Sequence, residues 1–524
     1  MIGVLFNDAA AQAGQLVLSA LRRSVTATQA RPISRGALCA VADSVIVAVD
    51  IPEAWGDDLL AWLRRRPRKL IVFGRVPATL AAHLGLRVDS AFADELVAAS
   101  RSEPAPAGDM RASRAAVDYT IRAAMLGGDA WHRPFERFDF TDEWNNLGFG
   151  AIRCDGSIWS IAQPARAASD AELAGVSIDD VPACSYAALW DRDTSSTLWF
   201  NRAAGPIDSF EWRLVERFLS THRADALPVH AVLSELPWGH DAAITSRLDC
   251  DEDIEASRPL WDAYRRMDVP FSLAVHTQNL RDSRHYPILR ELLADGGAVL
   301  SHTATHAPNW GGSYDAALAE GLQSAELLRE VTGRMVRYAV SPFHQSPPYA
   351  LRALADAGYE GCIGGIIRND PEFLIARGGE LADLPAGFVG HSQQCMLHGD
   401  CMLAAGDPLA VYKQAFDLAY QTRTLFGYLD HPFSERYQYG WRDESQRIDA
   451  HEQLVAYIRA KARRPLFMTE EAALDFLAMR AGVRILEDVD GVRACMPSGE
   501  CDALAMGVEW RGEHVELVAG IVLS

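Results

Sequence analysis

The chain has 524 residues, enough for about three domains of roughly 150 residues each. Its 49% apolar and 23% charged content is ordinary globular composition and excludes disorder, collagen and coiled coil. Fifty basic against seventy acidic side chains give a formal charge of −20, which argues against a bulk binder of nucleic acid or anionic membranes.

The first 85 residues alternate short apolar runs with helical patterns. The runs are IGVLF (2–6), SVIVAVD (44–50) and KLIVFG (69–74), each followed by a helix-like segment. Apolar runs without polar alternation, separated by helices, predict a parallel sheet covered on both faces, a doubly wound α/β unit. The run Arg64-Arg-Arg-Pro-Arg-Lys69 reads as a helix end, where cations oppose the C-terminal dipole, rather than a nucleic-acid patch. From about 115 to 205 the texture becomes β-like and rich in aromatics, as in GSIWSIAQ and STLWFNR. Among the tryptophans there (Trp144, Trp159, Trp190, Trp199), core packing is favoured over stacking on sugar rings. Residues 208–220, DSFEWRLVERFLS, predict an amphipathic helix.

A second alternation runs from about 240 to 480, with strands in AAITSRLD, FSLAVH, AVLSHT, RYAVSPF, GCIGGII, GYLDH and PLFM. Helices intervene, for example over 314–332 and 470–480. Seven or so such units predict a distorted (β/α)7 barrel, in which chemistry gathers at C-terminal strand ends. The predicted domains are 1–225, α/β with a β-rich extension; 226–482, the barrel; and 483–524, a terminal β hairpin. The first domain has no Cys nucleophile at its strand-end turns and no Gly-x-Gly-x-x-Gly. It therefore reads as non-catalytic, serving substrate docking or homo-oligomer formation.

Ten of the fifteen histidines lie between His230 and His431, nearly twice an even share, so the chemistry is expected in the barrel. Three pieces stand at its strand ends. In Arg247-Leu-Asp249-Cys-Asp251, side chains two apart share a face, so the Arg and both acids point together. Two such carboxylates can divide the roles of metal ligand and base, in either order. In Ser301-His302-Thr-Ala-Thr-His306, the i, i+4 spacing lets two imidazoles reach one ion. Tyr428-Leu-Asp-His431-Pro432 is an apolar strand that delivers a His at its end. Each piece alone also suits a turn or a packed side chain. Together they offer one Asp and two His for a metal, with a spare Asp and a spare His. Three protein ligands and an open position belong to a hydrolytic rather than a structural zinc site.

In order and spacing these pieces resemble the polysaccharide deacetylases of carbohydrate esterase family 4, the NodB-homology fold. The resemblance covers about 240–482. It rests on Asp249/Asp251, His302-Thr303-x-x-His306, Ser341-Pro342-Phe343 and Leu429-Asp430-His431. It implies a distorted barrel of about seven strands and metal-dependent N- or O-deacetylation. Asp251, His302 and His306 would hold a divalent metal, zinc first, with Asp249 as base and His431 as acid. The backbone N–H of Phe343 would steady the oxyanion. Two departures stand out: Cys250 separates the two acids, and Val340 occupies the place of the family's Arg, for which Arg247 is the candidate replacement. The family's fourth motif is not recognisable, and SQQCMLHGDC (392–401) fills its region, offering Asp400 or His398. Further candidate substrate contacts are His276, His344 and Tyr437. Residues 1–85 resemble, more distantly, class I glutamine amidotransferase-like or flavodoxin-like domains.

The N-terminus has no positive residue before its apolar stretch, so no signal peptide is read there. No apolar run approaches the ~18 residues of a membrane span. Nine scattered Cys without a Cys-x-x-Cys pair suit reduced thiols in a cytoplasm. The expected substrate is an intracellular N-acetylated glycan or sugar precursor of a surface polysaccharide. The rival readings are hydrolysis of a non-sugar amide or cyclic imide on the same barrel, and a degenerate, non-catalytic glycan-binding protein.

Overall fold

A computed structural model describes the whole chain except residues 41–42, 66, 102–113, 136–151, 207–208, 365–376, 393–394, 489–490, 498–503, 521 and 524. In the first lobe, parallel strands lie in the order Ala30–Ile33, Ile2–Leu5, Val45–Val49, Arg68–Phe73 and Ser195–Phe200. This is a doubly wound order, reversing beside the first strand. Alternation sends Val4, Val47, Ile71 and Phe73 to the face that also holds Val17, Leu21 and Trp212. Leu5, Ile46, Leu70 and Val72 pack on the other face against Trp62 and Leu80. Four antiparallel strands, Val181–Arg192, Glu172–Ile178, Ala115–Tyr119 and Trp131–Pro134, extend the sheet to nine. Where GSIWSIAQ suggested a strand, the structure has only isolated bridges at Ser160 and Ile161. Trp199 is fully buried and Trp144 lies outside the described residues.

The basic run divides in two. Helix Gly56–Leu63 stops just before Arg64, whereas Arg68 and Lys69 enter the next strand and are buried. Arg68 lies 4.5 Å over the Trp62 ring, and Lys69 donates to the Phe218 carbonyl at 2.7 Å. Only Arg64 and Arg65 fit the helix-end reading; the later pair packs, its long stems shielded by apolar neighbours.

The second lobe is a distorted barrel. Its parallel strands lie in the order Val389–Ser392, Gly361–Gly364, Tyr338–Val340, Ala298–Ser301, Ser272–Val275, Ala242–Cys250 and Phe426–Asp430. Ala242–Cys250 is the hub: its start pairs with Pro465–Met468, its middle with Phe426–Asp430, and its end with Ser272–Val275. Every residue of that hub is buried. Val389–Ser392 was not among the predicted strands, because VGHS carries too little apolar pattern to be seen. Near the C-terminus, Met506–Trp510 pairs with Glu513–Leu517 as a hairpin and also with Val232–Pro237. Among the described residues no helix is long and apolar enough to cross a membrane.

A buried ion pair joins the lobes. Glu216, on helix Ser209–Ser220, accepts from Arg377 Nε at 2.9 Å and Nη2 at 2.7 Å, and from Ser24 Oγ at 2.8 Å. Burial opposes the Glu216 charge, but Arg377 outweighs burial and holds its pKa at about 2 against an ordinary 4.5. A depressed carboxylate contributes its full stability above the unfolded pKa and loses it as pH falls toward the folded one. Arg377→Met removes the larger of Glu216's two cationic partners, leaving Arg213 Nη1 at 3.2 Å, and is expected to destabilise the protein by about 3 kcal/mol near neutral pH. Urea midpoints check this, and the gap between variant and parent should narrow between pH 4.5 and 2. An unchanged midpoint at pH 7 would remove the pair from lobe docking.

Candidate active site and metal centre

The site lies at the C-terminal ends of the barrel strands. Asp249 is the penultimate residue of the hub strand and Asp251 follows its end in a turn, while Cys250 between them points into apolar packing. His302 directly follows strand Ala298–Ser301, and His431 directly follows Phe426–Asp430. His302 and His306 are not on a helical turn. The loop that carries them has left-handed backbone at Thr303 (φ 67°) and His306 (φ 55°). The buried Glu320 carboxylate secures it, accepting from the backbone N–H of Ala304 at 2.9 Å and Thr305 at 2.8 Å.

Asp251 Oδ1 lies 3.4 Å from His302 Nε2 and 3.3 Å from His306 Nε2, and those two nitrogens are 3.0 Å apart. These three ligand atoms lie within 4.8 Å of one another. Asp251 Oδ1 is buried and, among the described residues, accepts no hydrogen bond. His302 donates its Nδ1–H to the Val340 carbonyl at 3.1 Å, which turns Nε2 toward the shared point. Burial and the nearby His302 push the His306 pKa down to about 4, which leaves that ring a neutral lone-pair donor. For His302, the Asp249 and Asp251 carboxylates outweigh burial and raise its affinity for a proton, so this point attracts positive charge. An unpartnered carboxylate oxygen and two imidazole nitrogens suit a divalent cation of the zinc type.

Asp249 is fully buried, and Arg247 donates to both its oxygens, Nε at 2.6 Å and Nη2 at 3.2 Å. Burial would raise the Asp249 pKa, but Arg247 and His302 hold it at about 2. Behind the pair, Arg247 Nη1 lies 3.6 Å from Glu470, whose other oxygen is 2.9 Å from His391 Nε2. His431 turns Nε2 toward Asp251 Oδ2 at 3.6 Å and Nδ1 toward His398 Nε2 at 2.8 Å. Tyr439 stacks on the His431 ring at 4.2 Å.

The remaining candidates fall unevenly. His276 donates Nδ1–H to the Asp251 carbonyl at 3.1 Å, and its ring stands 5.7 Å from that of His306. The half-exposed Phe343 ring lies 4.5 Å from His306. His344 is buried, and desolvation near Asp249 and Arg247 puts its pKa at about 3. Asp400 is exposed, set against the backbone of Gly440, and no described contact joins it to the others. An open cleft lined by Asp251, Glu252, Pro432, Ser434, Tyr437 and Tyr439 leads to the site.

Residues 251–362 match the family model for polysaccharide deacetylase. That stretch lies within the barrel, and the family is one of hydrolases. Solved structures similar to the deacetylase barrel include one described as a polysaccharide deacetylase from Mycobacterium smegmatis, at 14% identity, 46% coverage of this chain, 92% of the other, and TM-score 0.38. A family 4 acetyl xylan esterase from Clostridium thermocellum, with a cobalt ion, gives 11% identity, 44% and 90% coverage, and TM-score 0.31. The catalytic domain of a peptidoglycan N-acetylglucosamine deacetylase from Eubacterium rectale gives 13% identity, 45% and 91% coverage, and TM-score 0.29. No curated protein matches the chain.

Sequence reasoning missed the groups packed behind the candidate site. Asp430 is wholly buried and accepts from Arg447 Nε at 2.6 Å, His451 Nε2 at 3.1 Å and Trp441 Nε1 at 3.4 Å. Arg447 and His451 lie four apart on helix Glu444–Lys461, a spacing that puts both on one face. That spacing was the available signal.

Proposed function

We propose that the barrel is a metal-dependent deacetylase that cleaves an N-acetyl group from a glycan or sugar precursor, releasing acetate and a free amine. The observation that supports it most is the convergence of Asp251, His302 and His306 on one point, beside the unpartnered Asp251 Oδ1. Those three residues would hold the ion, which when bound polarises the acyl carbonyl and acidifies water. Asp249, kept ionised and oriented by Arg247, takes a proton from the attacking water at its carboxylate. His431 gives a proton from Nε2 to the sugar nitrogen as the C–N bond breaks, since an amide anion cannot leave unaided. The water oxygen ends in acetate and its proton on the enzyme; the nitrogen leaves as an amine.

Tyr437, Tyr439 and Phe343 offer ring faces to a sugar at the cleft. His276 and His344 are placed to meet its polar groups. The described cysteines are all free, which favours a reducing compartment and an intracellular substrate. The test is acetate release from N-acetylated oligosaccharides by purified protein, with and without a chelator. Chelator-sensitive acetate release is the expected result. Cleavage of a cyclic amide, with no acetate from any N-acetylated glycan, would overturn it.

A further inference from the structure

Arg202 follows the strand Ser195–Phe200 at the C-terminal edge of the first lobe's parallel sheet, the edge where open α/β sheets take their ligands. Its side chain is fully buried. The Nε–H is spent on the Trp159 carbonyl at 3.0 Å, whereas Nη1 and Nη2 are enclosed and donate to nothing, carboxylate or carbonyl, among the described residues. The Tyr186 hydroxyl stands beside the guanidinium, but a neutral phenol cannot balance its charge. The Trp159 ring, 6.0 Å from Arg202 Cζ, is at the outer limit of cation–π attraction and lends little. The same interior holds Arg133 and Glu211, both fully buried and 3.7 Å apart, with Glu211 also accepting from the Tyr119 hydroxyl at 2.8 Å. Among the described residues, two guanidiniums there meet one carboxylate. Glu211 is committed to Arg133, so the surplus charge sits on Arg202. An unbalanced buried charge is among the costliest things a fold can keep, and an apolar side chain would pack there more cheaply.

We propose that the first lobe binds a small, singly charged oxyanion, a carboxylate or a phosphate group, on Nη1 and Nη2 of Arg202 beneath the turn that carries Trp159. With Nε occupied, the guanidinium presents an end-on fork of two N–H groups, and that fork matches two oxygens of such an ion. The single surplus charge matches a monoanion. The cover is the turn 155–161, closed on itself by Asp155, whose backbone N–H donates to Ser160 Oγ at 2.9 Å. It is fastened to the strand end by the Trp159 carbonyl and by Ala204 N–H on the Ile158 carbonyl at 3.2 Å. Trp159 is only half-buried, so the way in lies under its ring, and the enclosed fork admits small ions first. The site stands in the lobe without catalytic motifs and does not depend on the chemistry of the barrel.

The experiment melts the purified full-length protein at constant ionic strength while acetate, formate or inorganic phosphate replaces chloride. The wild-type Tm should rise saturably, by about 5 °C at a hundred times Kd, and calorimetric titration should count one Arg202-dependent oxyanion per chain. Arg202→Met should lose that rise and melt no lower than anion-free wild type, because an apolar side chain replaces an unbalanced charge. Arg202→Lys keeps the charge without the fork and should bind at least about tenfold more weakly. An oxyanion held in the barrel is retained in Arg202→Met, so only the difference between the two proteins counts. Acetate and formate acting at lower concentration than phosphate identify a carboxylate, and the reverse identifies a phosphate group; either supports the site. A wild-type Tm indifferent to all three, an equal rise in Arg202→Met, or a rise that never saturates, as general salt action gives, overturns the inference. Should Arg202→Met fold poorly, the Lys variant decides, and an affinity equal to that of wild type overturns the inference.

Discussion

Asp249→Asn is expected to fold and bind metal as wild type does, yet to turn over about 10²–10⁴ times more slowly, the usual contribution of a positioned base. The amide keeps the volume and some hydrogen bonding to Arg247, which retains Glu470 at 3.6 Å, so the barrel loses little packing. Arg247→Met tests the same carboxylate from behind. Removing the guanidinium raises the pKa of Asp249 from about 2, so the acidic limb of the kcat/KM profile should move to higher pH with metal content unchanged. The sign matters for stability too. Asp249 is depressed in the fold, so its contribution is present above its ordinary 3.8 and fades as pH drops toward 2. Kinetics over pH and elemental analysis on the same preparations decide this. Metal loss in Asp249→Asn would exchange the roles of the two aspartates.

His306→Ala should take bound metal from about one ion per chain to near none and turnover below detection, because a three-ligand site seldom survives the loss of one. Its fold should persist, since Glu320 rather than the ion holds the loop through Ala304 and Thr305. Circular dichroism and elemental analysis on the purified variant separate these outcomes. A full complement of metal in His306→Ala would remove the residue from the ligand set.

The gathering of distant pieces was legible because apolar strands ending in Asp or His leave their chemistry on view. Strand parity put Arg247, Asp249 and Asp251 on one face; Arg247 and Asp249 pair directly, while the strand ends at Cys250 and a turn carries Asp251 toward His302. The i, i+4 spacing brought the two imidazoles within reach of one ion, and the structure carries them on a loop with left-handed Thr303 and His306, held by Glu320 from a distant helix. Backbone of that kind at non-glycine positions leaves no local trace. Between Asp400 and His398 the sequence could not choose, since both flank the same turn; burial separates them. Asp430 stood inside a quoted motif, but its partners lie 11, 17 and 21 residues on; the i, i+4 spacing of Arg447 and His451 marks a shared helix face without saying which acid it meets.

The forked pairing of Ala242–Cys250 has a consequence for how the molecule is made. That strand leaves the ribosome early, but it meets Phe426–Asp430 and Pro465–Met468 only about two hundred residues later. Val232–Pro237 waits longer still, for Met506–Glu509. During synthesis the first lobe can assemble from its own strands, while the apolar hub strand, unpaired along one edge, is exposed to wrong partners. Chains that stall between residues 306 and 430 hold both aspartates and the two ligand histidines but lack the acid. They are the species a chaperone would need to shield, and truncations ending there should aggregate rather than bind metal quietly.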